Sequence, residues 1–292
     1  LSRIVLLEEP QAAFYAWIYA HGQDWETYVH AGEKILVCDI GGGTTDFTLI
    51  QVRRTEDGRI QFHRVAVGNH LILGGDNLDL ALAHAIENRL RTQRVQASGS
   101  PNLSSAPLDS SENPPEETPQ SDQRGLSDSP LSQRQWAVLV GLCRQAKEIL
   151  LGQEAPERYT LSLPGTGTRL IGGAIQIELT RQEVVEVLIE GFFPKVPLEA
   201  RPASRRSGFQ EFGLPYASDP AVTRYLAAFL TAHRHVSEEE SARVGDYDPA
   251  RPHKVLFNGG LFYAPTIQQR IIEVLSEWLA LGKRNLKRER VR

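Results

Sequence analysis

Asp39-Ile40-Gly41-Gly42-Gly43-Thr44-Thr45-Asp46 sets two carboxylates around a run of glycines and threonines, between two strand-like runs. Lys34 to Cys38 is apolar and rich in β-formers, and Phe47 to Val52 alternates apolar and polar side chains, so the glycines are expected to form a hairpin connection. Without Cβ atoms, Gly41, Gly42 and Gly43 can adopt positive φ and let backbone N–H groups converge on an anion at close range. Thr44 adds a hydroxyl donor. Asp39, closing the first strand beside a bound phosphate, is placed to hold a hydrated Mg²⁺, which binds through one or two carboxylates and keeps several waters. The same residues also fit a plain glycine-rich turn with a solvated Asp, because a short motif by itself is only a hypothesis.

Three further segments stand in order around it. Glu8-Glu9-Pro10-Gln11-Ala12-Ala13 precedes the glycines, Leu73-Gly74-Gly75-Asp76-Asn77-Leu78-Asp79 follows them, and Val255-Leu256-Phe257-Asn258-Gly259-Gly260 lies near the end. Cys143-Arg144-Gln145-Ala146-Lys147 sits between the last two. As an ordered set they resemble the second half of the actin-like ATPase fold, a ribonuclease H-like α/β lobe with a mixed sheet flanked by helices. More narrowly, they resemble the DnaK-type, seventy-kilodalton heat-shock chaperones in a divergent bacterial branch. That family carries Asn-Glu-Pro-Thr-Ala-Ala, Asp-Leu-Gly-Gly-Gly-Thr-Phe-Asp, Leu-Gly-Gly-Glu-Asp-Phe-Asp, Cys-Glu-Arg-Ala-Lys and Val-Gly-Gly-Ser segments. The resemblance covers nearly the whole chain apart from about residues 96–133.

The resemblance implies ATP or ADP with Mg²⁺ as ligands, and roles for individual residues. Glu9 would position metal-bound water and the attacking water. Asp39 would serve as the metal-side, water-orienting carboxylate, and Asp46 would set that geometry from behind. Gly41, Gly42, Gly43 and Thr44 would form the phosphate loop, with Gly74 and Gly75 at a second turn. Lys147, Gly259, Gly260 and Tyr263 would line the adenosine side. Phosphoryl transfer rests mostly on such positioning and charge stabilisation. On the adenosine side the chain departs from the pattern: Arg144 and Glu148 stand where the family has Glu and Arg, Leu261 replaces a Ser, and Tyr263 replaces an Arg that stacks on adenine. A tyrosine ring can stack, but it lacks the guanidinium's charge and donors.

The resemblance further implies that the chain is the second lobe of a longer protein. A first lobe with its own phosphate loop and catalytic lysine, a C-terminal client-binding region and co-chaperones would be its partners, and the cytoplasm its location. Three readings of function follow: an ATP-hydrolysing chaperone domain, an actin-like bacterial filament protein, and an inactive ATPase-like module that only binds partners.

Composition bounds the rest. The 292 residues are ample for a substantial core, and a net charge of −4 gives no electrostatic case for nucleic acid. No apolar run approaches the roughly 20 residues that cross a bilayer, so no membrane partner is expected. Cys38 and Cys143 have no metal-ligand spacing and read as buried thiols.

Residues 96–133 are dominated by Ser, Pro, Asp, Glu and Gln, and read as a disordered insertion between two helices. Helical periodicity marks Asp76 to Leu90, Gln135 to Leu151, Asp219 to Ala232 and Pro265 to Leu281, while Tyr159 to Leu163 and Ile175 to Leu179 alternate as strands. Thr180-Arg181-Gln182-Glu183 has the form of a capping box. The expected organisation is a phosphate-binding core of residues 1–80 and 253–281, a helical and α+β subdomain of residues 81–252, and a basic tail or linker at 282–292.

Overall fold

The computed structural model describes residues 9–22, 24–98, 131–165, 173–203, 217–233, 251–278 and 287–290. The chain enters through helix α1 (Glu9–His21) and a single turn, α2 (Trp25–Tyr28), and then forms strands β1 (Lys34–Ile40), β2 (Thr45–Arg54) and β3 (Ile60–Val67). Helices α3 (Gly75–Ser98) and α4 (Gln133–Leu150) follow, then strands β4 (Arg158–Leu163) and β5 (Ile175–Thr180). A short α5 (Arg181–Val184) runs on as a π-helical turn (Val185–Glu190), and α6 is Val222–Ala232. Strand β6 (Lys254–Asn258) leads through a 3₁₀ turn (Gly260–Tyr263) into α7 (Pro265–Trp278), and β7 is Lys287–Arg290.

The main sheet has the order β3-β2-β1-β6-β7. β1 to β3 form an antiparallel meander, whereas β1 and β6 run parallel, with Val37 beside Leu256 and Asp39 beside Asn258. The fold class is therefore mixed α/β, with β4 and β5 as a separate antiparallel pair. Lys287–Arg290, expected from sequence to belong to a basic tail, pairs parallel to β6 at the sheet edge.

β1 is buried along its whole length because alternate residues enter two different cores. Ile35 and Val37, with Ile50, Val52 and Leu256, pack against Phe14 and Trp17 of α1. Leu36, Cys38 and Ile40, with Phe47, Leu49, Val255 and Phe257, face the larger core. That larger core continues without a break through Leu78 and Leu82 of α3, Leu139 and Cys143 of α4, and Leu161 and Leu179 of the small sheet. Cys38 and Cys143 are both fully buried, as the sequence indicated, and burial together with the Asp79 charge pushes the Cys143 thiol up to about 12.

The helix boundaries follow from local chemistry. Ser132 caps α4, its hydroxyl accepting from the Gln135 N–H while the Gln135 side chain accepts from the Ser132 N–H. Thr180 and Glu183 form the expected capping box, with the Thr180 N–H 2.7 Å from Glu183 Oε2. α3 extends to Ser98, past the expected boundary at Leu90. The insertion read as disordered falls almost wholly on residues 99–130, outside the described residues. Among the described residues no helix is long and apolar enough to cross a membrane.

Candidate functional site

The glycine hairpin closes with the Gly41 N–H donating to the Thr44 carbonyl at 2.9 Å. Gly41, Gly42 and Gly43 all lie outside the left-handed region, which corrects the expectation of positive φ there; the strained glycine of the site is Gly259, at φ 91°. What the loop glycines supply instead is close approach. A Cβ on Gly74 would lie 2.6 Å from the Gly42 carbonyl oxygen and 2.7 Å from the Thr44 nitrogen, so only glycine lets the second turn dock on the first.

That docking decides which N–H groups remain available. The first N–H groups of α3 are consumed by the loop, Gly75 donating to the Gly41 carbonyl at 3.0 Å and Asp76 to the Gly42 carbonyl at 2.7 Å. The N–H groups of Gly42, Gly43 and Thr44 have no acceptor among the described residues. The helix start thus takes up two of the loop's carbonyls while three consecutive loop N–H groups keep no acceptor among the described residues, an arrangement suited to anions. Thr45 adds a tie from the side, its hydroxyl donating to the Leu73 carbonyl at 2.6 Å.

Beside the loop lies a cavity of about 580 Å³, a size that suits a small ligand. Gly41, Gly42 and Gly75 form one part of its wall, Arg144, Lys147 and Glu148 of α4 another, and Gly260, Leu261, Tyr263 and Ala264 a third. Gly43, Thr44, Gly74, Gly259, Asp39 and Asp46 are not among the described residues that line it. Glu9 is exposed in the first turn of α1 and is not among the described residues that line the cavity.

Asp39 ends β1 almost buried, and its Oδ2 accepts from Asn258 Nδ2 at 2.8 Å. Burial pushes its carboxyl pKa up, the Asn258 hydrogen bond opposes this, and the Asp46 charge across the hairpin adds to the rise. A carboxylate held this way gains from a nearby cation, so the residues present fit a hydrated Mg²⁺ held by Asp39. Among the described residues no group of three or more His, Cys, Asp or Glu gathers as a metal cluster, so protein ligands beyond one or two carboxylates are not supplied there. Asp46 turns to His70, whose Nδ1 lies 2.9 Å from both of its carboxylate oxygens.

The cations of α4 are tied down by α3. Lys147 is buried, with Nζ 2.5 Å from Asp79 Oδ1 and donating to the Gly75 carbonyl at 3.1 Å. Arg144 reaches Asp79 Oδ2 through Nε at 3.1 Å and Asp76 Oδ1 at 2.5 Å. Glu148 is exposed, and its charge acts on Arg144 one turn before it. The Tyr263 side chain is 73 % exposed.

Sequence reasoning missed four participants: Asn258, His70, Asp76 and Asp79. Asn258 and both aspartates stood within segments already singled out, so their position carried the signal while their partners did not. His70 had only its closeness to Gly74-Gly75 to mark it.

No family model matches the chain. Over 95 residues it is 30% identical to the chaperone protein HscA homolog of Acinetobacter baylyi, a stretch that makes up 32% of this chain and 14% of that relative's length. The chain therefore has a distant, partial similarity to a chaperone of the Hsp70 family.

Proposed function

We propose that the chain forms the phosphate-binding portion of an Hsp70-like ATPase domain, and that in the complete protein it takes part in hydrolysis of a Mg²⁺-bound nucleoside triphosphate, ATP by the resemblance. The observation that carries this reading is the row of unsatisfied N–H groups at Gly42, Gly43 and Thr44, held beside a ligand-sized cavity by the start of α3. Backbone donors fixed in advance favour bound phosphate oxygens without reorganisation cost.

Within this reading Gly41, Gly42, Gly43 and Thr44 grip the phosphates, and Gly74 and Gly75 hold the grip in shape. Asp39 would hold Mg²⁺ through water, with Glu9 approaching the same water shell once the first lobe closes the cleft. When bound, the metal supplies neutralisation of phosphate charge. Asp39 orients water toward the phosphates, Asn258 fixes the Asp39 carboxylate, and Asp46 with His70 buttresses it from the neighbouring strand. Lys147 acts through Gly75 and Asp79, as a brace of the second turn.

The partners belong to the same proposal: a first lobe, a client-binding region, co-chaperones, and a cytoplasmic setting. The two proposed subdomains, residues 1–80 with 253–281 and residues 81–252, share one apolar core here and would move as neighbours around the nucleotide.

Asp39→Asn in the full-length protein tests the reading. Phosphate release in single-turnover experiments should fall by about 100-fold while nucleotide binding stays measurable, because water placement is lost and the loop remains. Rates within a few-fold of wild type would overturn it. The second reading, a partner-binding module without turnover, is favoured by the altered Arg144, Glu148 and Tyr263 wall; it is selected if the wild-type full-length protein releases no phosphate above buffer.

A further inference from the structure

The face of the sheet that α1 covers changes character toward one end. Ile35, Val37, Ile50, Val52 and Leu256 make its apolar part. The next positions in the same alternation are Asp39 on β1, Thr48 and Asp46 on β2, and Asn258 on β6. The two carboxylates face each other across the β1–β2 pair but are drawn apart. Asn258 holds Asp39 from the β6 side at 2.8 Å, whereas His70 holds Asp46 at 2.9 Å from the opposite side, just before the Leu71 bridge to Thr45. Thr48 comes next on that face, opposite Val37 and diagonal to Asp39.

Thr48 is 1 % exposed, and its hydroxyl has no hydrogen-bond partner among the described residues. Valine has the same shape and would continue the apolar wall without burying a hydroxyl, whose burial without a partner costs free energy. Diagonal neighbours of an antiparallel pair lie about 7–8 Å apart, too far for a direct hydrogen bond but within the span of one water. A buried water needs several polar partners, and this end of the face supplies them. It would accept from the Thr48 O–H and donate one hydrogen to each of Asp39 and Asp46, offsetting the repulsion between the carboxylates and fixing how both are turned.

We infer that Thr48 is a positioning residue for phosphoryl transfer, anchoring through one water the Asp39 and Asp46 carboxylates. The inference rests on the hydrolysis proposed above, and deepens it by naming the group that sets those carboxylates.

Phosphate release by the full-length protein tests it, beginning with the wild type. No release above buffer overturns the hydrolysis reading and the inference with it. Where the wild type turns over, Thr48→Val should lower kcat at least about fivefold, the scale of one net hydrogen bond. KM for the nucleotide should stay within about twofold, because the Gly42 to Thr44 N–H groups are untouched. Thr48→Ser keeps the hydroxyl and should recover most of the rate. In an Asp39→Asn background Thr48→Val should cost less than it does in the wild type, since the two act through one bridge. Turnover unchanged by valine overturns the inference and leaves the hydrolysis reading standing; equal losses in valine and serine would trace to packing and overturn it too. Thermal unfolding of the 292-residue chain gives a readout free of turnover. A water-held hydroxyl stabilises, so Thr48→Val should lower the midpoint; a raised midpoint would mean a hydroxyl buried without a partner, and overturns the inference. Thr48→Ala deletes the hydroxyl with less bulk and decides turnover in the same way if valine fails to fold.

Discussion

Where strands β1 and β6 begin, Lys254 Nζ meets Glu33 Oε1 at 2.9 Å, and His253 and Lys34 exchange a reciprocal pair, Lys34 N–H to His253 Nδ1 at 2.9 Å and His253 N–H to the Lys34 carbonyl at 2.8 Å. Where the same strands end, Asp39 has Asn258 and faces Asp46 across the hairpin. Burial pushes the Glu33 carboxyl up, but the His30 N–H and the Lys254 ammonium outweigh it and hold its pKa below the ordinary value. At Asp39 burial wins, and the pKa stands above the ordinary value. One pair of strands therefore carries a satisfied carboxylate at one end and an undersupplied one at the other. The chain that leaves the undersupplied end borders the cavity through Gly41 and Gly260.

The largest expected difference between the ends comes from two glycines of nearly equal positive φ. Gly32, ahead of β1, has φ 92° and open space around an added Cβ; Gly259, after β6, has φ 91°, and its Cβ would sit 2.2 Å from the Ile40 carbonyl oxygen. Gly32→Ala should cost about 1 kcal/mol, the penalty of a left-handed conformation alone. Gly259→Ala should cost about 3 kcal/mol or more, since strain and overpacking add. Urea unfolding of both variants reads the gap. Equal losses would mean that the site end is no more tightly built than its opposite.

Next in size is the ion pair of the satisfied end. Lys254→Met keeps the side-chain volume and removes the charge, leaving Glu33 largely buried without its ammonium. Breaking a fully buried pair costs several kcal/mol, and partial exposure of Glu33 brings the expectation to about 2 kcal/mol at pH 7. The loss should fade as acid protonates Glu33. A pH-independent loss would assign the effect to packing of the Lys254 stem.

These contrasts also mark what the sequence could and could not express. The hairpin, the helix pair, the Thr180 capping box and the β4–β5 pair were legible because each rests on local periodicity or on turn chemistry spanning a few residues. The grouping of Gly41, Gly42, Gly75, Lys147, Gly260 and Tyr263 on one cavity was legible through the resemblance, which brought together segments separated by more than 200 positions. The docking of α3 on the loop was not, because it depends on Gly75 and Asp76 donating to the Gly41 and Gly42 carbonyls. Nor was the locking of Arg144 and Lys147 by Asp76 and Asp79, since i,i+3 spacing on each helix says nothing about which helix faces which. The parallel edge strand Lys287–Arg290 escaped notice because four charged residues carry no strand periodicity.

His253 gives a pH-dependent effect of similar size at the satisfied end. Burial lowers its pKa from 6.5 to about 4; Glu33 opposes this, and Lys34, Lys254 and Arg251 reinforce it. The folded state holds this histidine neutral while the unfolded chain protonates it near 6.5, so its stability contribution is whole above that value and drains away as pH falls through about 4. After discounting for partial exposure, the loss should be about 2 kcal/mol across that window. His253→Asn retains an acceptor for the Lys34 N–H and should flatten this part of the pH profile in thermal unfolding. An unchanged slope between pH 6.5 and 4 would shift the acid sensitivity to other groups.

The smallest effect, and the one that joins stability to function, concerns Asp39. Because its folded pKa is raised above the ordinary 3.8, the folded state binds the proton more tightly than the unfolded chain does, and ionisation works against folding. The penalty is absent well below 3.8, grows as pH rises past that value, and is complete above the raised pKa. Asparagine at this position cannot ionise, and its amide oxygen can still accept from Asn258 Nδ2. Asp39→Asn should therefore raise the unfolding midpoint at pH 7 and leave it unchanged at pH 3, the opposite sign to Lys254→Met. If the same substitution also removes turnover in the full-length protein, the strained carboxylate is one that function retains against the preference of the fold. If Asp39→Asn destabilises at pH 7, the Asn258 hydrogen bond outweighs burial, and the contrast between the two strand ends collapses.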